Sequence, residues 1–302
     1  MLNLPQGNAI CYSGYREGQD PRTSSFPTYE EIKEDLLILK DNWSLLRLYD
    51  CSQHAKTVLE VIENEQLDFK VMLGTDLAAE VSNPNCPWGA DFSDEKLEDN
   101  RQYNNKNINE MIALANSFPT VVFAVSIGNE ASVDWTDHLV PLESLIDYAK
   151  RVQSSVEQPV TFCENYVPWQ EKIIPLTKHL DFISVHTYPV WEFQGIDNAL
   201  KFTNENVESV RNANPDMPIV ITEAGWTTRS NGRGMEPENA SEALQSRYVP
   251  DLMQWSKEQG ILCFVFEAFD EPWKGSGDPD EPEKHWGLYR VDRSAKPVVE
   301  LL

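Results

Sequence analysis

Pro218-Ile219-Val220-Ile221-Thr222-Glu223-Ala224-Gly225-Trp226 is the stretch whose design decides the fold. Its β-branched run, Ile219-Val220-Ile221, predicts a strand buried on both faces. The run ends in the carboxylate of Glu223, Gly225 breaks the pattern, and an aromatic follows. A charged side chain at the mouth of a buried strand is costly unless it has a partner or a task. A second stretch repeats the design: Val121-Val122-Phe123-Ala124-Val125-Ser126-Ile127-Gly128-Asn129-Glu130. One such Glu reads as a solvated strand end. Two of them predict paired carboxylates facing one site.

Working outward, six more apolar runs have the length of strands: Asn8 to Ser13, Leu45 to Tyr49, Phe69 to Gly74, Val160 to Cys163, Asp181 to His186 and Ile261 to Phe266. Helical spacing falls between most of them. Thr28 and Glu31 form a capping-box pattern ahead of Ile32, Leu36 and Leu39. Val58, Leu59 and Ile62 mark a second helix, and Ile108, Met111, Ile112 and Ala115 a third. Pro141 suits a helix start before Leu142, Leu145, Ile146, Ala149 and Val152. Ile196, Leu200, Val207 and Val210 mark another. Ala243, Leu244, Leu252 and Trp255 suggest a last long helix, with a kink at Pro250. A long irregular loop is expected from Thr75 to Asn100, and loops of that length are usually functional or disordered. Strands alternating with helices imply parallel pairing through crossovers. Eight of them without a linker predict an α/β fold, a single (β/α)8 TIM barrel forming one catalytic domain over residues 1–302. The alternative, an open doubly wound sheet, usually shows a Gly-rich phosphate loop after its first strand, and Cys11-Tyr12-Ser13-Gly14-Tyr15-Arg16 is not one.

The net charge is −24 and the pI about 4.5. Such a surface repels phosphate backbones, which argues against nucleic acid as a partner and leaves neutral substrates open. The five cysteines, Cys11, Cys51, Cys86, Cys163 and Cys263, form no CxxC pair and read as buried filler. No run is long enough to span a membrane. Met1-Leu2-Asn3-Leu4-Pro5 lacks the basic start and apolar stretch of a signal peptide. Either the protein stays inside or a leader has been removed; the expectation is a secreted, periplasmic or surface-attached full-length form, and a monomer.

In a barrel all strands end at one face, so Glu130 on the fourth and Glu223 on the seventh converge on one cleft. Cleavage of a glycosidic bond requires such a pair, one carboxyl protonated to release the leaving oxygen and the other ionised to attack or to activate water. Two nearby carboxylates separate their pKa values, because both cannot ionise cheaply. Seven of the nine tryptophans, Trp88, Trp135, Trp169, Trp191, Trp226, Trp273 and Trp286, fall in the expected loops after strands. Flat indoles stack on pyranose faces, though about half of them are expected to plug the barrel top instead. The five histidines show no HxH or HExxH spacing, so no metal and no cofactor is expected, and His186 reads as a polar wall residue.

Ile127-Gly128-Asn129-Glu130, Thr222-Glu223-Ala224-Gly225-Trp226 and Arg47-Leu48-Tyr49 together resemble glycoside hydrolase family 17, the β-1,3-glucanases among the clan A barrels, in their bacterial laminarinase type. The likeness runs from Cys11-Tyr12 to Glu283-Lys284-His285-Trp286-Gly287-Leu288. Asn-Glu after the fourth strand is common to the clan. Glu-Ala-Gly-Trp, and Glu271-Pro272-Trp273-Lys274 with the later Glu283, are more specific. The resemblance implies Glu130 as acid/base and Glu223 as nucleophile, supported by the charged cluster of Glu271, Lys274 and Glu283. It implies Tyr12, Tyr49 and Asn129 along the catalytic subsite. Arg47 would keep Glu223 ionised through a charge-assisted hydrogen bond, unless its pair merely seals the barrel. Tyr188 could donate its hydroxyl to the nucleophile; Trp191, Trp226 and Trp273 are further candidates for sugar contact.

Plant members of that family carry an extra subdomain between strands six and seven. Here only Tyr188 to Met217 lies between them, room for a loop and one helix. A shorter, more open cleft follows, with Trp191 expected as an exposed stacking platform at its edge. The leading expectation is a retaining hydrolase of laminarin-type β-1,3-glucan, that glucan or its oligosaccharides being the only partner. A β-1,3-glucan transglycosylase on the same residues is the nearest rival. A non-catalytic carbohydrate-binding barrel and a metal-dependent hydrolase are the others.

Overall fold

Eight parallel strands pair in sequence order and close on themselves: β1 (Ala9–Cys11), β2 (Leu45–Leu48), β3 (Lys70–Gly74), β4 (Val122–Asn129), β5 (Val160–Asn165), β6 (Ile183–His186), β7 (Ile219–Gly225) and β8 (Cys263–Phe266). Closure is made by Ala9 facing Phe264 across β1 and β8. The chain is a TIM barrel, seen in a computed structural model that describes residues 4–302. Met1, Leu2 and Asn3, which open the segment read above as unlike a signal peptide, lie outside the described residues. Among the described residues no helix is long and apolar enough to cross a membrane. All five cysteines are free and buried.

The crossovers are α1 (Tyr29–Leu39), α2 (Gln53–Asn64), α3 (Asp94–Ser117), α4 (Leu142–Gln153), α5 (Ile196–Ala213) and α6 (Glu242–Gln259). The capping box of α1 is formed, Thr28 and Glu31 each accepting from the other's backbone N–H. The connection from β5 to β6 departs from the alternation: it is built of two short 3₁₀ turns, Pro168–Gln170 and Ile174–His179, around the buried Trp169.

α3 corrects the expected loop. It begins at Asp94, capped by Ser93, whose hydroxyl accepts from the Lys96 amide, with Asp94 and Glu95 against the positive end of the helix dipole. The first half shows no apolar period because its inner face is asparagine. Asn100 donates to Ala79 O, and Asn104 bonds both the N–H and C=O of Ala78. These amides replace apolar packing and fix the remaining loop over the strand ends.

The ladders break register near the strand ends of the pairs β4–β5, β6–β7 and β7–β8. Irregularities of this kind re-aim side chains at barrel rims. After the break in β6–β7, His186 stands opposite Glu223.

The last segment of the chain is tied under the mouth of the barrel by a buried ion cluster. Asp35 of α1 accepts from Arg293 Nε and Nη2 at 2.7 Å each, from Arg16 Nη2 at 2.9 Å and from Tyr12 Oη at 3.1 Å. Asp35 is fully buried and Arg293 nearly so. Removing one member of such a cluster leaves an uncompensated charge, at a cost of about 3–5 kcal/mol. Asp35→Ala should lower the equilibrium unfolding free energy by about that much. A loss below about 1 kcal/mol in urea would show that Arg293 and Arg16 are solvated instead.

Candidate active site

Glu223 lies within β7 and Glu130 is the first residue past β4. Glu130 has φ = 44°, a left-handed conformation that a non-glycine residue adopts only when its surroundings hold it there. The bond from its own N–H to Cys163 O, 2.9 Å, is one such hold. One carboxylate oxygen from each Glu and a His186 ring nitrogen all lie within 4.8 Å of one another.

Three donors crowd Glu223. Arg47 Nη1 gives Oε1 a 2.5 Å ion pair, and Tyr188 Oη donates to Oε2 at 2.5 Å. His186 Nδ1 stands 3.4 Å from Oε2 and 2.8 Å from Glu130 Oε1. Arg47 is turned further by Nη2 donating to Asn129 Oδ1 at 2.5 Å, and its guanidinium lies over the Tyr49 ring. Burial alone would raise the Glu223 pKa, yet the charges of His186 and Arg47 and the bonds from Tyr188 and Arg47 hold it down at about 2. Burial would lower that of His186, yet the Glu223 charge and the bond to Glu130 push it up to about 10. Cys163, read as filler, is drawn down to about 7 against its burial by Arg47 and His186.

The cluster has the donor types of a cation site. However, its oxygens already accept from Arg47, Tyr188 and His186, and an imidazolium offers no lone pair to a metal. The arrangement suits proton transfer between side chains.

Glu223 and Phe266 line two adjoining hollows. The smaller, about 270 Å³, holds Tyr12, Tyr49, Asn129, Trp273 and Lys274. The larger, about 810 Å³, holds Glu130, Tyr188, Trp191 and Glu283, together with Trp88, Trp135 and His138. A separate hollow of about 550 Å³, between Leu4, Pro218 and Ile261, opens at the opposite ends of the strands, where barrels carry stability rather than chemistry.

Three placements differ from the sequence-based expectation. Trp226 does not reach the cleft: it is fully buried, donates Nε1 to Asn239 O at 2.8 Å and packs on Tyr248. Glu271 is also fully buried, accepting from Ser13 Oγ and Trp273 Nε1 and pairing with Lys274, so it positions those groups without touching a ligand. Trp191 is no open platform. It packs against Trp286, under the Arg233 guanidinium, and Gly234 (φ = 72°) fits so closely that a Cβ would strike its ring. Arg47, nearly buried, acts through Glu223 and Asn129.

The sequence reading placed His186 only as a polar wall residue and did not single out Glu267. His186 ends β6 next to Glu223, but its partners come from other strands, so a search for HxH spacing could not find it. Glu267 follows β8 directly, buried, and takes a 2.8 Å bond from Lys274 Nζ; burial and the Glu271 charge raise its pKa well above the ordinary value. The signal was present: a carboxylate at the end of a buried apolar run, as at Glu130 and Glu223.

The BtgE/BtgC glycoside hydrolase domain profile matches residues 9–287. Glucan endo-1,3-beta-glucosidase btgC of Emericella nidulans is 23% identical over 303 residues, which is 91% of this chain and 42% of that one. The chain thus spans about two-fifths of the length of the curated relatives it matches. Among solved structures, an endo-laminarinase from Formosa Hel1_33_131 is 26% identical with a TM-score of 0.81, over 97% of this chain and 85% of the other. A glycoside hydrolase family 17 beta-1,3-glucanosyltransferase from Rhizomucor miehei shares the fold at 24% identity and a TM-score of 0.74, over 97% and 96%.

The charge pattern fixes a pH window. The lowered Glu223 contributes stability that is fully present above its ordinary 4.5 and lost as pH falls toward 2. The raised His186 contributes fully below its ordinary 6.5 and is lost as pH rises through about 10. The pair therefore supports the fold most strongly between pH 4.5 and 6.5. His186→Gln should lower the melting temperature in that window and flatten the alkaline decline toward pH 10. An unchanged melting temperature with an unchanged alkaline decline would exclude the bridging role of His186.

Proposed function

The chain belongs to the BtgE/BtgC glycoside hydrolase domain family, and on that premise we propose that it cleaves β-1,3-glucosidic bonds of laminarin-type glucan with net retention. The observation that carries the reading is the Glu130–Glu223 pair, with oxygens within 4.8 Å at the junction of two hollows. Retaining pairs stand about 5–5.5 Å apart, and inverting pairs are wider by the room of a water molecule.

The sugar that is attacked lies over Glu223 in the smaller hollow, against Tyr12, Tyr49 and Asn129, with Lys274 reaching its hydroxyls. The leaving chain occupies the larger hollow, where Glu130 stands. Glu130 gives its proton to the glycosidic oxygen while Glu223 attacks the anomeric carbon. The C–O bond breaks and a glycosyl ester on Glu223 forms. Arg47 and Tyr188 keep Glu223 ionised and aimed until that moment. His186, already bonded to Glu130 Oε1, stabilises the carboxylate left once Glu130 has given up its proton. Glu130 then takes a proton from water, which attacks the same carbon from the other face. Both the acid and the nucleophile are side chains, so no cofactor enters. Transfer to a second sugar in place of water is a further reading, favoured by the greater size of the hollow beside Glu130.

Glu223→Gln should lose several orders of magnitude in kcat and keep its fold. Near-normal turnover would sink the assignment. Glu130→Ala should retain more activity on an activated aryl glycoside than on glucan, and azide should rescue it to a β-glycosyl azide. Equal losses without rescue would remove Glu130 from the acid/base role. Proton NMR of the first product from laminari-oligosaccharides should show the β anomer before mutarotation; the α anomer appearing first would require an inverting mechanism. Parallel digests of β-1,3-, β-1,4- and mixed-linkage glucans test the linkage.

A further inference from the structure

We propose that Trp88 and Trp135 form a preorganised subsite for the leaving-chain glucosyl units of a neutral β-glucan, and for an acceptor sugar in the second half of the reaction. The inference deepens the glucan-cleaving reading and rests on it for the identity of the sugar.

Among the described residues these two are the most exposed tryptophans, at 65% and 40%, and both line the larger hollow. They stand on different loops, after β3 and after β4, so their meeting in one wall comes from the fold. Lone exposed apolar residues need no explanation; two indoles facing a cleft that contains the catalytic pair do.

The wall is built rigidly. Asn83, itself buried, donates both amide protons across the loops, to Asp134 O at 2.9 Å and Thr136 O at 2.7 Å. Glu164 accepts from Ser132 N and Oγ at 2.8 and 2.6 Å. Lys172 Nζ ties Ser132 O and Asp134 Oδ1 at 2.6 and 2.7 Å. His138 bonds Asn129 O at 3.0 Å and Asp137 Oδ1 at 2.7 Å, joining the Trp135 loop to the backbone beside Glu130. This much hydrogen bonding fixes the loops that carry the two indoles, which are left open to water. Surfaces ordered before binding lose little entropy when a ligand arrives.

The surrounding chemistry selects the ligand. Asp137, His138, Asn165 and Glu192 border the same hollow and offer planar donors and acceptors to hydroxyl groups. The carboxylates of Glu130, Asp137, Glu192, Glu223 and Glu283 outnumber the one Arg of the lining, Arg233, and disfavour an anionic chain. Flat apolar faces ringed by hydroxyls belong to neutral pyranoses. The side follows from Glu130, which lines this hollow and not the smaller one. A proton donor to the glycosidic oxygen stands on the leaving side. In the second half-reaction a sugar held there competes with water: its hydroxyl oxygen bonds the anomeric carbon, the Glu223 ester bond breaks, and the hydroxyl proton passes to Glu130.

The test uses laminarihexaose and the Glu223→Gln protein, so binding is read without turnover. Trp88→Ala and Trp135→Ala in that background should each weaken hexaose binding five-fold or more by titration calorimetry, and Trp135→Phe should recover most of the loss. In the active protein, with laminaribiosyl fluoride as donor and laminaribiose as acceptor, both Ala variants should lower the ratio of transfer to hydrolysis at least three-fold. Affinities within two-fold of the parent, a Phe variant no better than Ala, or an unchanged ratio would overturn the subsite. The two readings fail separately. A wild type that leaves laminarin intact refutes the glucan-cleaving reading. The hexaose titration decides the subsite on its own, and absent binding refutes that too.

Discussion

The ion pair between Arg47 and Glu223 is the constraint on which the site depends. Both side chains are nearly buried, on β2 and β7 of the barrel. A buried carboxylate must be paired or protonated. Arg47 settles this in favour of the ion, and with Tyr188 and His186 it fixes both oxygens. Because Arg47 also holds Asn129, the residue before Glu130, the same guanidinium sets the distance between the two carboxylates. The break in register between β6 and β7 completes the arrangement by bringing His186 opposite Glu223. A one-residue slip would turn these side chains to the helix layer.

The same logic governs where the chain places its cations. Against 49 acidic residues there are only 25 Lys and Arg. Several of those few cations are spent inside: Arg47 on Glu223, Arg293 on Asp35, Lys296 on Asp270, Lys274 between Glu267 and Glu271. Each is matched there by at least one buried carboxylate, so the acidic excess of the exterior is left almost unchanged. Buried pairs are poor sources of net stability but heavy losses when halved. Their value here is positional: Arg47 joins β2 to β7, Arg293 ties the C-terminal segment to α1, and Lys296 and Lys274 hold the chain around the end of β8.

How much could be read beforehand follows from the physics of each signal. The barrel was legible because buried parallel strands are near-continuous apolar runs, and Glu130 and Glu223 interrupt those runs. α3 was missed in its first half because Asn100 and Asn104 do by hydrogen bonding what apolar residues usually do by packing. His186 was read only as a wall residue and Glu267 was missed for a related reason: their meaning lies in partners that the fold brings up, Glu130 and Glu223 for the one and Lys274 for the other. Tryptophan was read by chain position alone, and position cannot separate Trp226, sealed against Tyr248, from Trp135, open to the cleft. That difference is made by loops folding back, which no local periodicity records.

Chemistry and selection are divided between kinds of structure. Glu130, Glu223, Arg47 and His186 sit on or directly beside strands, where the ladder restricts motion to the small amplitudes that proton transfer and attack require. The larger hollow is walled by loops, which can vary without disturbing the barrel. The two are not independent, however. His138 holds the Trp135 loop through the carbonyl of Asn129, and Asn129 precedes the strained backbone of Glu130. A chain pressing on that wall therefore bears on Glu130, the proposed proton donor, through one hydrogen bond and one peptide unit. In this barrel the loop proposed to hold the sugar also buttresses the proposed acid.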